Sequence, residues 1–439
     1  MGHVRMEQYH EGVKVFQGEL ITHFDQNGNL ASVTGDYYKN INLDTKPVIT
    51  EGEAITTAVK RFGHTLSSEP SSELMVFEKN EKHHLVYRVE VVDIDSDNPA
   101  DTVYFISAKN GKVIFQYDNL ETANAVGTGR SLYLGNVPIN TNSITGGFEM
   151  RDLTRGSQAT INMRNRTSGG SIFTDADNTW GNNTTSDTAS AAVDAHFGVA
   201  ATWDYYKNVH GRNGIANNGS GSTSRVHYSS RYNNAFWSDS CFCMTFGDGD
   251  NTRFTPLVAI DVAAHEMTHG VTSRTARLVY SGQSGGLNEA TSDIFGTATE
   301  FFANNPGDPG DYFIGEEITL FGTGRLRNMA NPREDGRSID HLSQYVSGMD
   351  VHYSSGLANQ FFYLLSEGGT NRTSNQTVTG IGRAKAEKIW YRALTVYMTS
   401  GTTFAGARTA TLNAAADLYG ASSVERSAVA ATWTACGVN

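Results

Sequence analysis

The sequence predicts a mixed α+β chain, and three patterns along it carry that prediction. Residues 1–122 alternate strand-like runs around one short helix. Residues 130–260 are rich in Gly, Ser, Asn and Thr between strand-like runs, which implies a β-rich lobe. Residues 355–436 carry helical periodicity. At 439 residues the chain is long enough for several domains with substantial cores.

Taken in order, residues 13–21 alternate loosely, and Asp25-Gln26-Asn27-Gly28-Asn29 is a hairpin signal. Thr50-Glu51-Gly52-Glu53 is a capping box that opens a helix to about Phe62. Residues 85–92 and 103–106 read as strands, and Asn110-Gly111 turns the second of them into 113–115. This first unit divides into a β-rich part (about 1–49) and an α+β part (about 50–122), and neither holds a constellation of catalytic residues. The small residues of 122–129 read as an exposed linker, where nicking occurs, with cleavage expected at Thr122–Ala123 or Ala125–Val126. A helix is expected near 191–208. Apolar residues at 257–264 lead into another helix. Gly285-Gly286 reads as a turn before a helix through Ile294, Phe295, Ala298, Phe301 and Phe302. Helices then follow at 356–365, 384–398 and 404–418, with a capping box at Ser422-Ser423-Val424-Glu425. The lobes divide as 123–278 and 279–439.

A net charge of −12 and a pI near 5.5 argue against nucleic acid or an anionic membrane surface as a partner. No apolar run approaches a membrane span, and Met1-Gly2-His3 lacks the apolar region of an export signal. With three cysteines, at least one is unpaired in a monomer. A Cys241–Cys243 bridge would close a very tight ring, and Cys436 joined to either one is the alternative.

The most informative residues are His265-Glu266-Met267-Thr268-His269. On a helix, the four-residue spacing puts both imidazoles on one face, as two ligands of one Zn²⁺ require, with a carboxylate beside them to handle a proton. Catalytic zinc takes a third protein ligand and leaves one position to water. Glu289 is the candidate third ligand. Asp293 and Asn288 can then accept hydrogen bonds from the non-ligating nitrogens of His265 and His269. The bland alternatives are a surface helix with two solvated histidines, and acids favoured at a helix N-terminus.

These residues resemble the thermolysin family of zinc metalloendopeptidases, and the resemblance extends over essentially the whole chain. It implies a two-lobed metalloprotease, with the zinc helix bridging the lobes, preceded by a pro-segment (1–122) that inhibits the enzyme intramolecularly. In Asp350-Val351-His352-Tyr353 it implies that His352 donates to the oxyanion, with Asp350 orienting the ring and Tyr280 as a second donor. It implies substrate contacts from Asn234 and Ala235 on an edge strand and from Arg327. The apolar pocket wall would comprise Phe254, Leu257, Val262, Ile314 and Leu326, favouring a bulky apolar residue after the cut. Asp261, Glu300, Asp311 and Glu316 match a calcium site. Phe313 stands where some relatives have an acid, so one Ca²⁺ is expected there rather than two. Asp175 and Asp177 resemble an outer calcium site and read equally well as an Asx turn. Protein and peptide substrates, one zinc, secretion and a monomeric state follow from the same resemblance. Rival readings are a zinc exopeptidase, a catalytically silent binding protein and a structural zinc.

Overall fold

The computed structural model describes residues 2–93, 100–119 and 123–439. It separates into two compact units, Met1–Thr122 and Ala123–Asn439. Among the described residues no helix is long and apolar enough to cross a membrane.

The first unit is built on a seven-stranded sheet. Strands Val13–Phe24 and Leu30–Asp36 pair through the expected turn. There Asp25 Oδ1 accepts from the N–H groups of Asn27 (2.8 Å) and Asn29 (2.9 Å), and Gly28 takes φ +82°. Helix α1 (Glu51–Phe62) starts at the capping box, with Thr50 N–H donating to Glu53 at 2.7 Å. Its Ala54, Ala58 and Phe62 cover Leu85, Val89 and Val91. Residues of opposite parity on the same strands, with Val86, Val103 and Phe105, form a smaller cluster on the other face.

The second unit opens with a correction. Residues 123–130 are not a linker but a strand (Ala123–Arg130), paired antiparallel along its whole length with Asn136–Ile144. Its glycines serve close approach rather than flexibility. A Cβ on Gly127 would lie 2.3 Å from Asn178 Oδ1, and one on Gly129 would lie 2.5 Å from Val193. The Ala125–Val126 bond therefore lies inside a ladder, unsuited to cleavage in this fold. Thr122 lies outside the described residues.

Two sheets form this β-rich lobe, one five-stranded and one six-stranded, the latter ending at the edge strand Ala235–Ser238. Helix α2 (Thr188–His210) packs against them. Helix α3 (Ile260–Ser273) joins two cores: Ile260, Val262, Ala263 and Met267 belong to the β-side core, and Val271 to the helical one. That division keeps α3 buried for most of its length. The helical core gathers Phe361, Phe362, Trp390, Phe404 and Trp433 from the later helices.

Further differences concern local signals. Gly285 and Gly286 do not form a turn; they lie inside helix α4 (Gly282–Ala303). A Cβ at either position would strike Val351 Cγ1 (2.4 Å) or Ser354 Oγ (2.5 Å) of the short helix α5 (Val351–Ser354). Glu289 is consequently in the second turn of α4, not the first, so the macrodipole does not explain it. After helix α6 (Gly356–Glu367), the helix expected at 384–398 is α7 (Arg383–Arg392), continued by a π-helical turn, Ala393–Tyr397. Helix α8 (Phe404–Tyr419) ends just before helix α9 (Val424–Ala435), which is capped by Ser423 rather than Ser422. Glu425 is drawn to Lys385 (2.7 Å) instead of completing a capping box. Cys241 and Cys243 form the disulfide, with Cα atoms 5.2 Å apart, and Cys436 is a buried thiol.

Candidate active site

Helical geometry brings His265 and His269 together, with their Nε2 atoms 3.1 Å apart. The outer nitrogens fix both rings. His265 Nδ1 donates to Asp293 Oδ1 (2.9 Å), and His269 Nδ1 donates to Asn288 Oδ1 (2.8 Å). The Asn288 amide nitrogen is itself committed to Leu278 O at 2.8 Å, so its oxygen faces the imidazole. In their neutral form, rings held in this way present two Nε2 lone pairs to one point, as two ligands of a single cation do. Glu289 supplies its oxygens 3.5 Å and 3.4 Å from those nitrogens, and its Oε2 is buried without a hydrogen-bond partner. Two imidazole nitrogens and a carboxylate suit zinc.

Asp293 anchors the arrangement. Besides His265 it accepts Arg327 Nε and Nη2 (2.7 Å each) and Asn359 Nδ2 (2.8 Å). Burial pushes its carboxyl up, but Arg327 and His265 outweigh burial and hold it at about 2. Asn359 was not anticipated. Its signal was an amide pair, Asn359-Gln360, inside the otherwise apolar α6.

Glu266 is buried beside the histidines, and burial raises its pKa above the ordinary carboxyl value. Tyr280 Oη donates to Glu289 Oε1 (2.5 Å) and lies 3.2 Å from His352 Nε2. Asp350 caps α5, accepting from the His352 backbone N–H (2.9 Å) and from its Nδ1 (2.8 Å). His352 Nε2 is thereby turned toward the metal ligands, 3.6 Å from Glu289 Oε2.

These residues line one cleft of about 1360 Å³ together with Asn234, Ala235, Phe254, Leu257, Val262, Ile314, Leu326 and Arg327. The cleft also includes Arg253, Ile318 and Phe321, which sequence reasoning missed. Ala235 lies on the strand whose outer edge is unpaired among the described residues.

A second convergence lies near the start of α3 and the C-terminal end of α4, beside Asp261 and Glu300. Glu300, Asp308 and Glu316 bring carboxylate oxygens within 4.8 Å of one another, and each retains a buried oxygen without a partner. Burial first, and then mutual repulsion, push their carboxyls well above the ordinary carboxylate range, and burial raises that of the adjoining Asp261. Three clustered acids with orphan oxygens suit a hard cation such as Ca²⁺. Asp308 was missed because it lies in an irregular loop. Of the other expected acids, Asp261 accepts from Gly315 N–H (2.6 Å), and Asp311 Oδ1 from Phe313 N–H (2.6 Å). Phe313 stacks on the Arg325 guanidinium, 4.0 Å from its centroid. Asp175 and Asp177 instead accept main-chain N–H groups from Asp177 and Thr179, and among the described residues no third acid or histidine joins them. That is the Asx-turn pattern.

Comparison with known proteins agrees with this architecture. Residues 126–273 match the thermolysin metallopeptidase catalytic domain, and residues 276–438 its alpha-helical domain. Residues 1–37 match the fungalysin/thermolysin propeptide motif, and 48–117 the peptidase propeptide and YPEB domain. The transglutaminase-activating metalloprotease of Streptomyces mobaraensis is 44% identical over 99% of this chain, which spans 59% of that protein's length. Bacillolysin of Brevibacillus brevis is 37% identical, covering 99% of this chain and 82% of its own. Thermolysin of Alicyclobacillus acidocaldarius is 38% identical, covering 100% and 84%. The precursor of protealysin, a metalloproteinase from Serratia proteamaculans, superimposes with a TM-score of 0.53 at 28% identity, over 64% of this chain and 87% of that one. Fold and site thus define a metallopeptidase preceded by propeptide domains. The chain belongs to the thermolysin family.

Proposed function

We propose that the protein is a zinc-dependent endopeptidase made as a zymogen, cutting internal peptide bonds on the N-terminal side of bulky apolar residues. The observation that carries this reading is the convergence of two imidazole lone pairs and the Glu289 carboxylate beside Glu266 in an open cleft. His265, His269 and Glu289 would hold the ion. Bound there, zinc supplies Lewis acidity toward the scissile carbonyl and lowers the pKa of water.

The chain's own residues do the rest. Glu266 takes the proton of the attacking water and passes it to the leaving amine, a task that its raised pKa suits. His352, oriented by Asp350, and Tyr280 donate to the oxyanion. In the resting structure the Tyr280 hydroxyl is engaged by Glu289 and has to swing toward substrate. Asn234 and Ala235 would bind the substrate backbone as an added antiparallel strand. Arg327, its guanidinium steadied by Asp293, would hold the carbonyl beyond the cut. Phe254, Leu257, Val262, Ile314 and Leu326 would take the residue after the cut, whose burial contributes about 1.5–3 kcal/mol, enough for preference rather than strict selection. Residues 1–122 would act as the intramolecular inhibitor, with residues 123–278 and 279–439 as the catalytic lobes. One Ca²⁺ would sit among Glu300, Asp308 and Glu316, beside Asp261. The substrates would be extracellular proteins and peptides.

The test is hydrolysis of casein and of a peptide blocked at both ends, with zinc and with a chelator. Chelator-sensitive cleavage before Leu, Phe, Ile or Val is expected. An intact blocked peptide beside degraded unblocked ones would indicate an exopeptidase. Intact casein after removal of residues 1–122 would leave a silent binding protein.

A further inference from the structure

The cleft contains a cation that the proposed chemistry does not use. Arg253 lines it next to Phe254, at the mouth of the apolar pocket. Phe254 is buried while Arg253 is exposed, so the two neighbours face the inside and the rim of the same wall. The Arg253 guanidinium lies over two rings, 5.0 Å from the Phe321 centroid and 5.7 Å from that of Phe254. Its backbone carbonyl accepts from Leu320 N–H (2.9 Å), and Phe254 bridges to Thr319, so the turn bearing Arg253 is tied to the loop bearing Phe321. The charge therefore rests against two rings at the rim, which bias its position.

Among the described residues it has no bonded acceptor. Three other cleft arginines are engaged: Arg325 with Glu334 (2.5 Å), Arg327 with Asp293 (2.7 Å) and Arg337 with Tyr353 Oη (2.7 Å). The nearby Asp250 carboxylate serves the main-chain N–H of Arg253 (2.7 Å) and the Asn233 amide (2.8 Å), not the guanidinium. Arg277 also lacks a bonded acceptor among the described residues, but no pair of rings fixes it. Arg253 is thus a positioned, unneutralised cation at the rim of a pocket whose floor is apolar.

We propose that Arg253 is a specificity-determining residue: it receives an acidic side chain of the substrate, on the residue following the one that fills the apolar pocket. This rests on the endopeptidase reading and adds the class of sequence that the cleft selects, a bulky apolar residue and then Asp or Glu. An exposed ion pair of this kind is modest and salt-sensitive.

The test uses the active enzyme and peptides blocked at both ends, identical except for Glu, Gln or Lys at that position. The readout is the ratio of kcat/KM for the Glu and Lys peptides within each enzyme, which cancels any general loss of activity. The wild type should favour Glu by about two- to fivefold. Arg253→Gln should bring the ratio near one, and Arg253→Glu should invert it. Salt at about 0.5 M should shrink the wild-type ratio. A ratio unchanged across the three enzymes would overturn the proposal while leaving the endopeptidase standing. Failure of the wild type to cut any of the peptides would remove both.

Discussion

Among the described residues, metal-ligating side chains converge at two places, and the two are held differently. At His265, His269 and Glu289, both imidazoles have their outer nitrogens fixed by another side chain, so the ligands keep their geometry by hydrogen bonding. At Glu300, Asp308 and Glu316, the facing oxygens have no partner, and burial and mutual repulsion oppose their ionising together. The first site has its two rings fixed before an ion arrives, with only Glu289 Oε2 left without a partner. The second is a strain that an ion would relieve. A preorganised set suits chemistry, which needs ligands in fixed positions. A repulsive set suits stabilisation, because the ion binds only where the fold brings the acids together.

Four measurements break or sharpen this contrast. The largest effect is expected from Glu266→Gln, which should lower kcat by about a thousandfold with zinc still bound stoichiometrically, whereas His265→Ala should lose both activity and metal. Metal analysis beside peptide hydrolysis separates the two, and loss of zinc from Glu266→Gln would contradict the assigned roles. Next, Asp293→Asn should weaken zinc binding about 10- to 100-fold, measured by competition with a chelating dye. Unchanged affinity would mean that the outer hydrogen bonds do not organise the first site.

The third measurement crosses over. Glu300→Gln should lower the Tm by several degrees in millimolar calcium yet raise it in a calcium chelator, because it removes both a ligand and a carboxyl that without the ion must be protonated or buried at a cost. Calorimetry showing the same direction under both conditions would refute the relieved-strain account. The smallest effect comes from a half-buried titratable group outside both sites. His210 is pushed down to about 3, first by burial and then by Lys388, while stacked on Tyr391 at 4.1 Å. Its folded pKa lies below the ordinary value of 6.5, so its stabilising contribution is complete above that pH and is lost as pH falls toward 3. His210→Phe should therefore flatten the decline of Tm between about pH 6 and 4, and an unaltered slope would assign acid sensitivity elsewhere.

Much of the first site was legible because its residues obey a period. His265 and His269 share a helix face by spacing alone, and Asp293 follows Glu289 by one turn, so a bonding scheme could be drawn before any coordinates. Tyr280, His352 and Arg327 have no such period. They are brought in by tertiary packing, and only the family resemblance pointed to them. Asp308 escaped for the same reason, being fixed by a loop whose path no repeat dictates. The glycines misled most. At 127, 129, 285 and 286 they were read as turn or linker, but each admits a neighbouring atom where a methyl group would not fit. A single sequence does not distinguish glycine needed for bending from glycine needed for contact.

The glycines of α4 have one more consequence. With Val351 and Ser354 pressed against backbone at 285 and 286, α4 and α5 behave as one rigid jaw carrying both Glu289 and His352. Breathing of the cleft would then move this pair as a unit relative to the side that bears Asn234 and Ala235. Opening and closing would then alter the grip on the peptide while the spacing between third ligand and imidazole stayed constant.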